Sequence, residues 1–332
     1  MRILVTGAGG FIGGWLTRHF VEAGHEVVGV DIKELKHWYQ HSAYFEVVAD
    51  LRDFHECERI LRARFDEVYN LAADMGGMGF IEKHRVECLR SVLINTNLLE
   101  ASSVFGGVQR YFFSSSACVY PTTLQEETEC AGLKEKDAYP AMAERGYGWE
   151  KLFSEMLCQE YWHECGLETH IARFHNVMGP HETWHGGREK APAAICRKVI
   201  DAKLNGQNEI EIWGDGTRTR SFMWIEDCIT GIDKIMHSPE LIATPINLGT
   251  TEAVSINELV TMVEEIARIK LKRRYMLDAP LGVVGRNSDN TMIRDVLGWE
   301  PKTPLREGLE KTYRWIESEI LRRDRQNQTS GW

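Results

Sequence analysis

Val5-Thr6-Gly7-Ala8-Gly9-Gly10-Phe11-Ile12-Gly13 decides how this chain folds. An apolar run at residues 3–6 enters it and helical spacing over 10–23 leaves it, so the glycines join a strand to a helix. Gly7, Gly10 and Gly13 allow a tight turn that brings the N–H groups at Phe11 and Ile12 against a pyrophosphate. Asp31 ends the second strand, 18 residues past Gly13, where a carboxylate accepts from both hydroxyls of an adenosine ribose. The same charge repels a ribose 2′-phosphate, which favours NAD over NADP. Asp50, with Leu51 beside it, follows a third strand and is read either as an adenine contact or as a solvated strand end.

Working outward, further strands are expected at 26–31, 67–71, 110–114 and 169–173, with helices at 54–65, 80–105 and 147–164. Consecutive apolar residues suit strands covered on both faces, so the fold class is α/β, a doubly wound parallel Rossmann sheet. After Arg173 loop-rich stretches at 175–190 and 213–221 interrupt shorter elements, as in a smaller C-terminal α/β domain. Ser255-Ile256-Asn257-Glu258 is a capping box that opens a helix to about 269. A last helix at 305–321 leads to a frayed polar tail, 322–332. The expected division is 1–174 plus about 222–250 for the dinucleotide domain, with 175–221 and 251–321 binding substrate.

The 332 residues carry 39 Lys and Arg against 49 Asp and Glu, a net charge of −10, which disfavours nucleic acid and anionic membrane as partners. That balance also invites the guess that acidic ligands are avoided. The distribution overturns it: residues 268–286 hold six basic residues and one acid, and 186–220 hold seven against five. Local focusing sets what a cleft attracts. Eight cysteines form no C-x-x-C pair or Cys/His cluster, so neither a metal site nor a disulfide framework is expected. With no signal-peptide pattern at the start and no long apolar window, the expected setting is reducing and cytoplasmic.

Tyr147 and Lys151 stand at i and i+4 on one helix face, where the ammonium is expected to lower the phenol pKa towards use as a base. Ser116 leaves the end of a parallel strand just upstream, placed to share a substrate hydroxyl with Tyr147.

The glycine loop, Asp31, Asn70-Leu71-Ala72-Ala73, Ser116, Tyr147 and Lys151 together resemble the extended short-chain dehydrogenase/reductases that modify nucleotide sugars. Arg220-Ser221-Phe222, Ile225-Glu226-Asp227 and Ile246-Asn247-Leu248-Gly249 resemble that family's C-terminal blocks. Ala117 and Cys118 stand where its dehydratases carry an Asp-Glu pair, so dehydration is not expected. The loop 74–80, the stretch 186–194, the turn 285–290 and Ser-Ser-Ala-Cys at 115–118 resemble the branch that epimerises GDP-mannose at C3 and C5. That resemblance implies Cys118 and Lys190 as the acid/base pair, with the role of each left open, Tyr147 as the redox base and Lys151 on the nicotinamide ribose. It implies Leu71, Ala72 and Ala73 beside NAD. It also implies Gly76, Ser116, Asn176, Glu189, Lys198, Arg218, Arg220 and Arg286 around a GDP-sugar, and a homodimer. The alternatives are a C4 epimerase or reductase of another nucleotide sugar, and a catalytically silent NAD-binding regulator.

Overall fold

The computed structural model describes residues 1–329, the side chains of 327–329 apart. In chain order the first half holds β1 (Arg2–Thr6), α1 (Phe11–Glu22), β2 (Glu26–Asp31), β3 (Phe45–Val48), α2 (Phe54–Leu61), β4 (Glu67–Asn70), α3 (Met78–Lys83), α4 (Arg85–Ala101), β5 (Arg110–Ser116) and α5 (Tyr147–Cys165). Then come β6 (Glu168–Phe174), β7 (Asn176–Met178), α6 (Ala191–Leu204), β8 (Glu209–Trp213), β9 (Thr219–Trp224), α7 (Ile225–Met236) and β10 (Pro245–Leu248). The chain continues with β11 (Ala253–Ser255), α8 (Ile256–Ala267), β12 (Lys272–Met276), β13 (Gly285–Arg286), α9 (Thr291–Leu297) and α10 (Leu305–Thr329).

Seven strands form one parallel sheet in the order β10-β6-β5-β4-β1-β2-β3. Ile3, Leu4, Val5, Val68, Phe112 and Ile171 are fully buried within it, as strands covered on both faces require. The order reverses between β1 and β4, and the crevice of such a sheet opens there, at the carboxyl ends of the strands.

A second layer lies over that crevice. β9 is its spine: Thr219–Ser221 pair with β11, Thr219 and Arg220 with β13, and Phe222–Trp224 with β7. One hydrophobic cluster runs from Ile3 in the large sheet and Leu16 on α1 through Phe222 and Trp224 to Leu259 and Leu309, so no tether separates the layers.

Two helices differ from the sequence expectation. The single helix expected at 80–105 breaks at His84, whose backbone leaves helical values (φ −120°, ψ 44°) while its ring stacks on Phe80 at 4.4 Å. Apolar spacing continues on both sides of the break, so periodicity alone does not reveal it. The tail expected to fray from 322 instead continues α10 to Thr329. Ion pairs at helical spacing run along that helix, Lys311–Glu307 at 2.8 Å and Arg322–Glu319 at 2.7 Å among them. Residues 330–332 lie outside the described ones.

Candidate active site

The glycine loop sits at the switch point. Gly7 has φ +71°, and a Cβ there would lie 2.9 Å from the Leu71 carbonyl carbon, which joins the loop after β1 to the loop after β4. A Cβ on Gly13 would collide with the Gly7 carbonyl, so α1 starts closer to the strand end than any side chain permits. Thr6 Oγ1 donates to Asn70 Oδ1 at 3.0 Å, and Ala72 N donates to Thr6 Oγ1 at 3.3 Å, which fixes residues 71–73 beside the loop. The result is a cradle of backbone at a helix N-terminus that suits a pyrophosphate. Asp31 is buried and accepts Lys33 N at 3.0 Å, while Lys33 Nζ is turned away to Gly9 O at 3.2 Å and the ring of Tyr39 at 4.0 Å. Asp50 is committed locally: Arg52 grips it through Nε at 2.8 Å and Nη2 at 2.6 Å and holds its carboxyl below the usual range.

Helix α5 is pinned across the end of β5 by Glu155, which takes a hydrogen bond from Ser115 and a buried ion pair from Arg173 at 2.7 Å. Its first turn therefore carries Tyr147 and Lys151 to the crevice, beside Ser116 and Cys118. Ser116 Oγ accepts the Cys118 N–H at 3.2 Å. Lys151 is 1% exposed; its ammonium stands 5.5 Å from the Tyr147 ring centre, 4.7 Å from that of Phe113 and 3.8 Å from the Glu150 carboxylate. The expected depression of the Tyr147 pKa is not what this packing produces. Burial first, then the neighbours Cys118, Glu150 and Cys88, push the phenol well above its ordinary value, against a lowering contribution from the Ser116 hydroxyl. The ammonium lies over the rings and is shared with Glu150, a fully enclosed acid.

Cys118 is 7% exposed. Arg286 reaches it from β13, with Nη1 3.5 Å from Sγ, while Nε donates to Gln125 Oε1 at 2.6 Å and Nη2 pairs with Glu144. Burial, then Glu144, raises the thiol pKa; Arg286 and Ser116 oppose them. Lys190 stands at the N-terminal end of α6, within electrostatic reach of Glu182, Cys118 and Cys228. Burial lowers its pKa, so a neutral amine is accessible nearer neutrality than for a surface lysine.

The loops that cover the site lie against each other. Gly77 N donates to Arg188 O at 3.0 Å, and Arg188 pairs with Asp74 at 3.3 Å while its guanidinium lies 3.8 Å over the Phe80 ring. Gly76 packs between Phe80 and Arg188. Glu189 accepts Gly187 N at 2.6 Å and meets Arg197 at 3.5 Å; Asn176 Nδ2 donates to Ser221 O at 3.1 Å.

The remaining cations lean on neutral carbonyls. Arg218 donates to Gly282 O at 2.7 Å, Arg220 to Val283 O at 2.6 Å and Val284 O at 3.2 Å, and Lys198 to Glu211 O at 3.0 Å. Burial, then the charge of Arg286, lowers the Arg220 pKa to about 10. Cations with carbonyls as partners keep charge for an anion.

Sequence reading missed Glu144, Gln125, Glu150 and Glu182. Gln125 and Glu144 reach Arg286 across 161 and 142 positions, and no local pattern announces such contacts. Glu150 stood within the Tyr147–Lys151 segment, but adjacency gave no sign that it was enclosed.

Three comparisons agree with this geometry. The chain is 43% identical over 322 residues to GDP-mannose 3,5-epimerase of Arabidopsis thaliana, covering 96% of this chain and 83% of that protein. It is 27% identical over 328 residues to UDP-glucuronic acid decarboxylase 1 of Xenopus tropicalis, covering 96% and 73%. Among solved structures, UDP-glucose 4-epimerase of Thermotoga maritima with UDP-glucose superposes with a TM-score of 0.86 at 25% identity, covering 96% of this chain and 100% of that one. UDP-glucuronic acid 4-epimerase of Bacillus cereus, in complex with UDP-glucuronic acid and NAD, gives 0.80 at 25% identity, covering 96% and 99%. The sequence profile of one family matches residues 3–249. With the glycine cradle at the switch point and Ser116, Tyr147 and Lys151 gathered at the end of β5, the chain belongs to the NAD dependent epimerase/dehydratase family.

Proposed function

We propose that this enzyme epimerises GDP-D-mannose at C5 and C3, giving GDP-L-galactose and some GDP-L-gulose. The observation that carries the reading is the Cys118 thiol beside Ser116 and Tyr147, with Lys190 at the start of α6 within electrostatic reach of it. The fit of the cradle to a dinucleotide and the carboxylate at Asp31 support NAD. When bound, NAD supplies a hydride acceptor at C4 of the sugar and returns the hydride at the end.

Tyr147, in its phenolate form, takes the C4 hydroxyl proton and Ser116 orients that hydroxyl. With C4 as a ketone, the hydrogens on C3 and C5 become acidic because each carbanion is an enolate. Inversion needs proton removal on one face and return on the other, and Cys118 and Lys190 supply the two groups. Arg218, Arg220 and Lys198 hold the diphosphate, and Glu189, Asn176 and Gly76 line the sugar. Lys151 holds the nicotinamide ribose.

A homodimer is part of the same reading. Val86, Leu89 and Leu93 on α4 and Trp149, Phe153 and Met156 on α5 are exposed at helical spacing, an apolar face on two packed helices. A reducing, cytoplasmic setting is part of the same reading. Among the described residues no helix is long and apolar enough to cross a membrane.

The test is NMR of GDP-mannose turned over in D2O. Deuterium at both C3 and C5 of recovered sugar is expected, with none in the Cys118→Ala variant, which still reduces bound NAD. A sugar without carbon-bound deuterium at either centre refutes the assignment and leaves the C4 epimerase. Normal epimerisation by the variant reduces Cys118 to packing.

A further inference from the structure

Two residues with no part in the chemistry above are built around the guanidinium that reaches Cys118. Gln125 is 1% exposed, on the segment that follows β5. Its Nε2 donates to Tyr120 O at 3.3 Å and Pro121 O at 3.0 Å, and its Oε1 accepts Arg286 Nε at 2.6 Å. Its backbone oxygen accepts Val284 N at 2.9 Å and Gly285 N at 3.2 Å, so the strand that carries Arg286 is docked on the same residue. A Cβ on Gly285 would strike the Glu127 carbonyl, an approach that any side chain would block.

Glu144, just before α5, is joined to the residue that bears the thiol. Its N–H donates to Cys118 O at 3.0 Å, and its carboxylate pairs with Arg286 Nη2. The Cys118 amide donates to Ser116 Oγ at 3.2 Å, so Cys118 is held at both ends of its backbone while Arg286 Nη1 meets its sulfur at 3.5 Å. A guanidinium is a rigid planar fork, so anchoring Nε and Nη2 also fixes where Nη1 points. The side chains of Arg286 and Glu144 are 9% and 11% exposed, and charges so enclosed are screened little by salt.

We propose that Gln125 and Glu144 are positioning residues that act on Cys118 through Arg286: Gln125 aims the guanidinium at the sulfur, and Glu144 takes up part of its charge. The proposal deepens the reading of Cys118 as one of the acid/base pair and rests on it. The two residues work in opposite senses. An aimed cation favours the thiolate, while a carboxylate on that cation, close to the sulfur, disfavours it. A group that gives or takes protons works best with its pKa near the operating pH, which a lone cation or a lone carboxylate would overshoot. Burial, then Glu144, push the thiol up, and Arg286 and Ser116 draw it down. Tyr147 on α5, Lys190 at the start of α6 and Arg220 on β9 are the further groups within electrostatic reach of the thiol. Arg286 is itself within reach of Arg220 and of His175, which burial keeps neutral.

The experiment compares the wild-type holoenzyme with Glu144→Gln and Gln125→Leu. Alkylation by iodoacetamide is followed against pH on the Cys118 peptide, beside deuterium entry at C3 and C5. Glu144→Gln keeps the shape and an acceptor for Nη2 but loses the charge. Its alkylation limb should move about one unit to lower pH. Gln125→Leu releases the guanidinium from its aim, and the limb should move about one unit to higher pH. A role in packing alone would move neither limb, or both in the same direction, and either result overturns the proposal while leaving the epimerase reading intact. A wild-type enzyme without exchange at C3 and C5 overturns that reading and the catalytic purpose of the clamp together. Should Gln125→Leu not fold, Glu144→Asp decides. It keeps the carboxylate, so its limb must lie nearer to wild type than that of Glu144→Gln, and the reverse order overturns the proposal.

Discussion

The Arg286 guanidinium donates to the Cys118 sulfur, Nη1 to Sγ at 3.5 Å, across 168 positions of sequence. The sequence assigned Arg286 to the substrate. Here its three nitrogens go to Gln125, Cys118 and Glu144, so its cation is shared between the Glu144 carboxylate and the thiol. Burial and Glu144 disfavour the thiolate, and Arg286 is the main opposing influence.

Arg286→Gln should therefore raise the Cys118 pKa further. A lost cation in contact with a buried acid is worth about one to three units. Exchange at C3 and C5 near neutral pH should fall about tenfold or more, with NAD reduction less affected. The pH dependence of Cys118 alkylation by a small reagent gives the shift directly, and an unchanged profile would show that the contact does not govern the thiol.

The parts legible in the sequence were local in origin. The glycine loop, Asp31 and the spacing of Tyr147 and Lys151 lie within single strand-loop-helix units, and the structure keeps each of those units. Cys118 and Lys190 were reached through resemblance, because a buried thiol and a helix-cap lysine carry no signature of their own. What was not legible arises from packing between distant segments: Glu144 against Arg286, Glu150 beside Lys151, and the inward turn of Glu182. The Tyr147 pKa was misjudged for a related reason. Spacing placed Lys151 on the same helix face, but the direction of its ammonium and the burial of the phenol depend on Phe113, Glu150 and Cys118.

Gly13→Ala tests the cradle. The added methyl would strike the Gly7 carbonyl, so α1 must retreat from the strand end. Overpacking of this kind costs about 1–3 kcal/mol, and the displaced helix N-terminus no longer meets the pyrophosphate. The expected outcome is a lower melting temperature and loss of NAD during gel filtration. A variant that retains NAD as the wild type does would show that the loop tolerates the shift.

Leu89→Glu with Phe153→Glu tests the apolar face on α4 and α5. Neither side chain is buried within the chain, so the fold should survive, while two charges on each protomer would oppose each other across an isologous contact. Light scattering should give twice the 38.0 kDa protomer mass for wild type and one protomer for the variant. Equal masses for the two would place any dimer contact elsewhere.

The acid limb of stability should carry the mark of His170. The ring is buried, and burial, then Arg110 and His237, lower its pKa from 6.5 to about 4 against smaller raising influences from Glu67 and the Ile235 backbone. A histidine depressed in the fold stays neutral there while the unfolded chain takes up a proton. Its contribution is therefore fully present above pH 6.5 and is lost as pH falls towards 4. His175, lowered to about 3, acts in the same sense and extends the window downward. Each group contributes at most about 1.4 kcal/mol per pH unit. Carboxylates titrate across the same range, so the informative quantity is the difference between wild type and His170→Phe. That variant removes the titrating ring from β6 and offers one of similar breadth. Its melting temperature should fall less steeply than wild type between pH 6.5 and 4 and differ little above that range. Parallel slopes would mean that His170 is protonated in the fold as readily as in the unfolded chain, and that burial at the foot of the sheet does not control it.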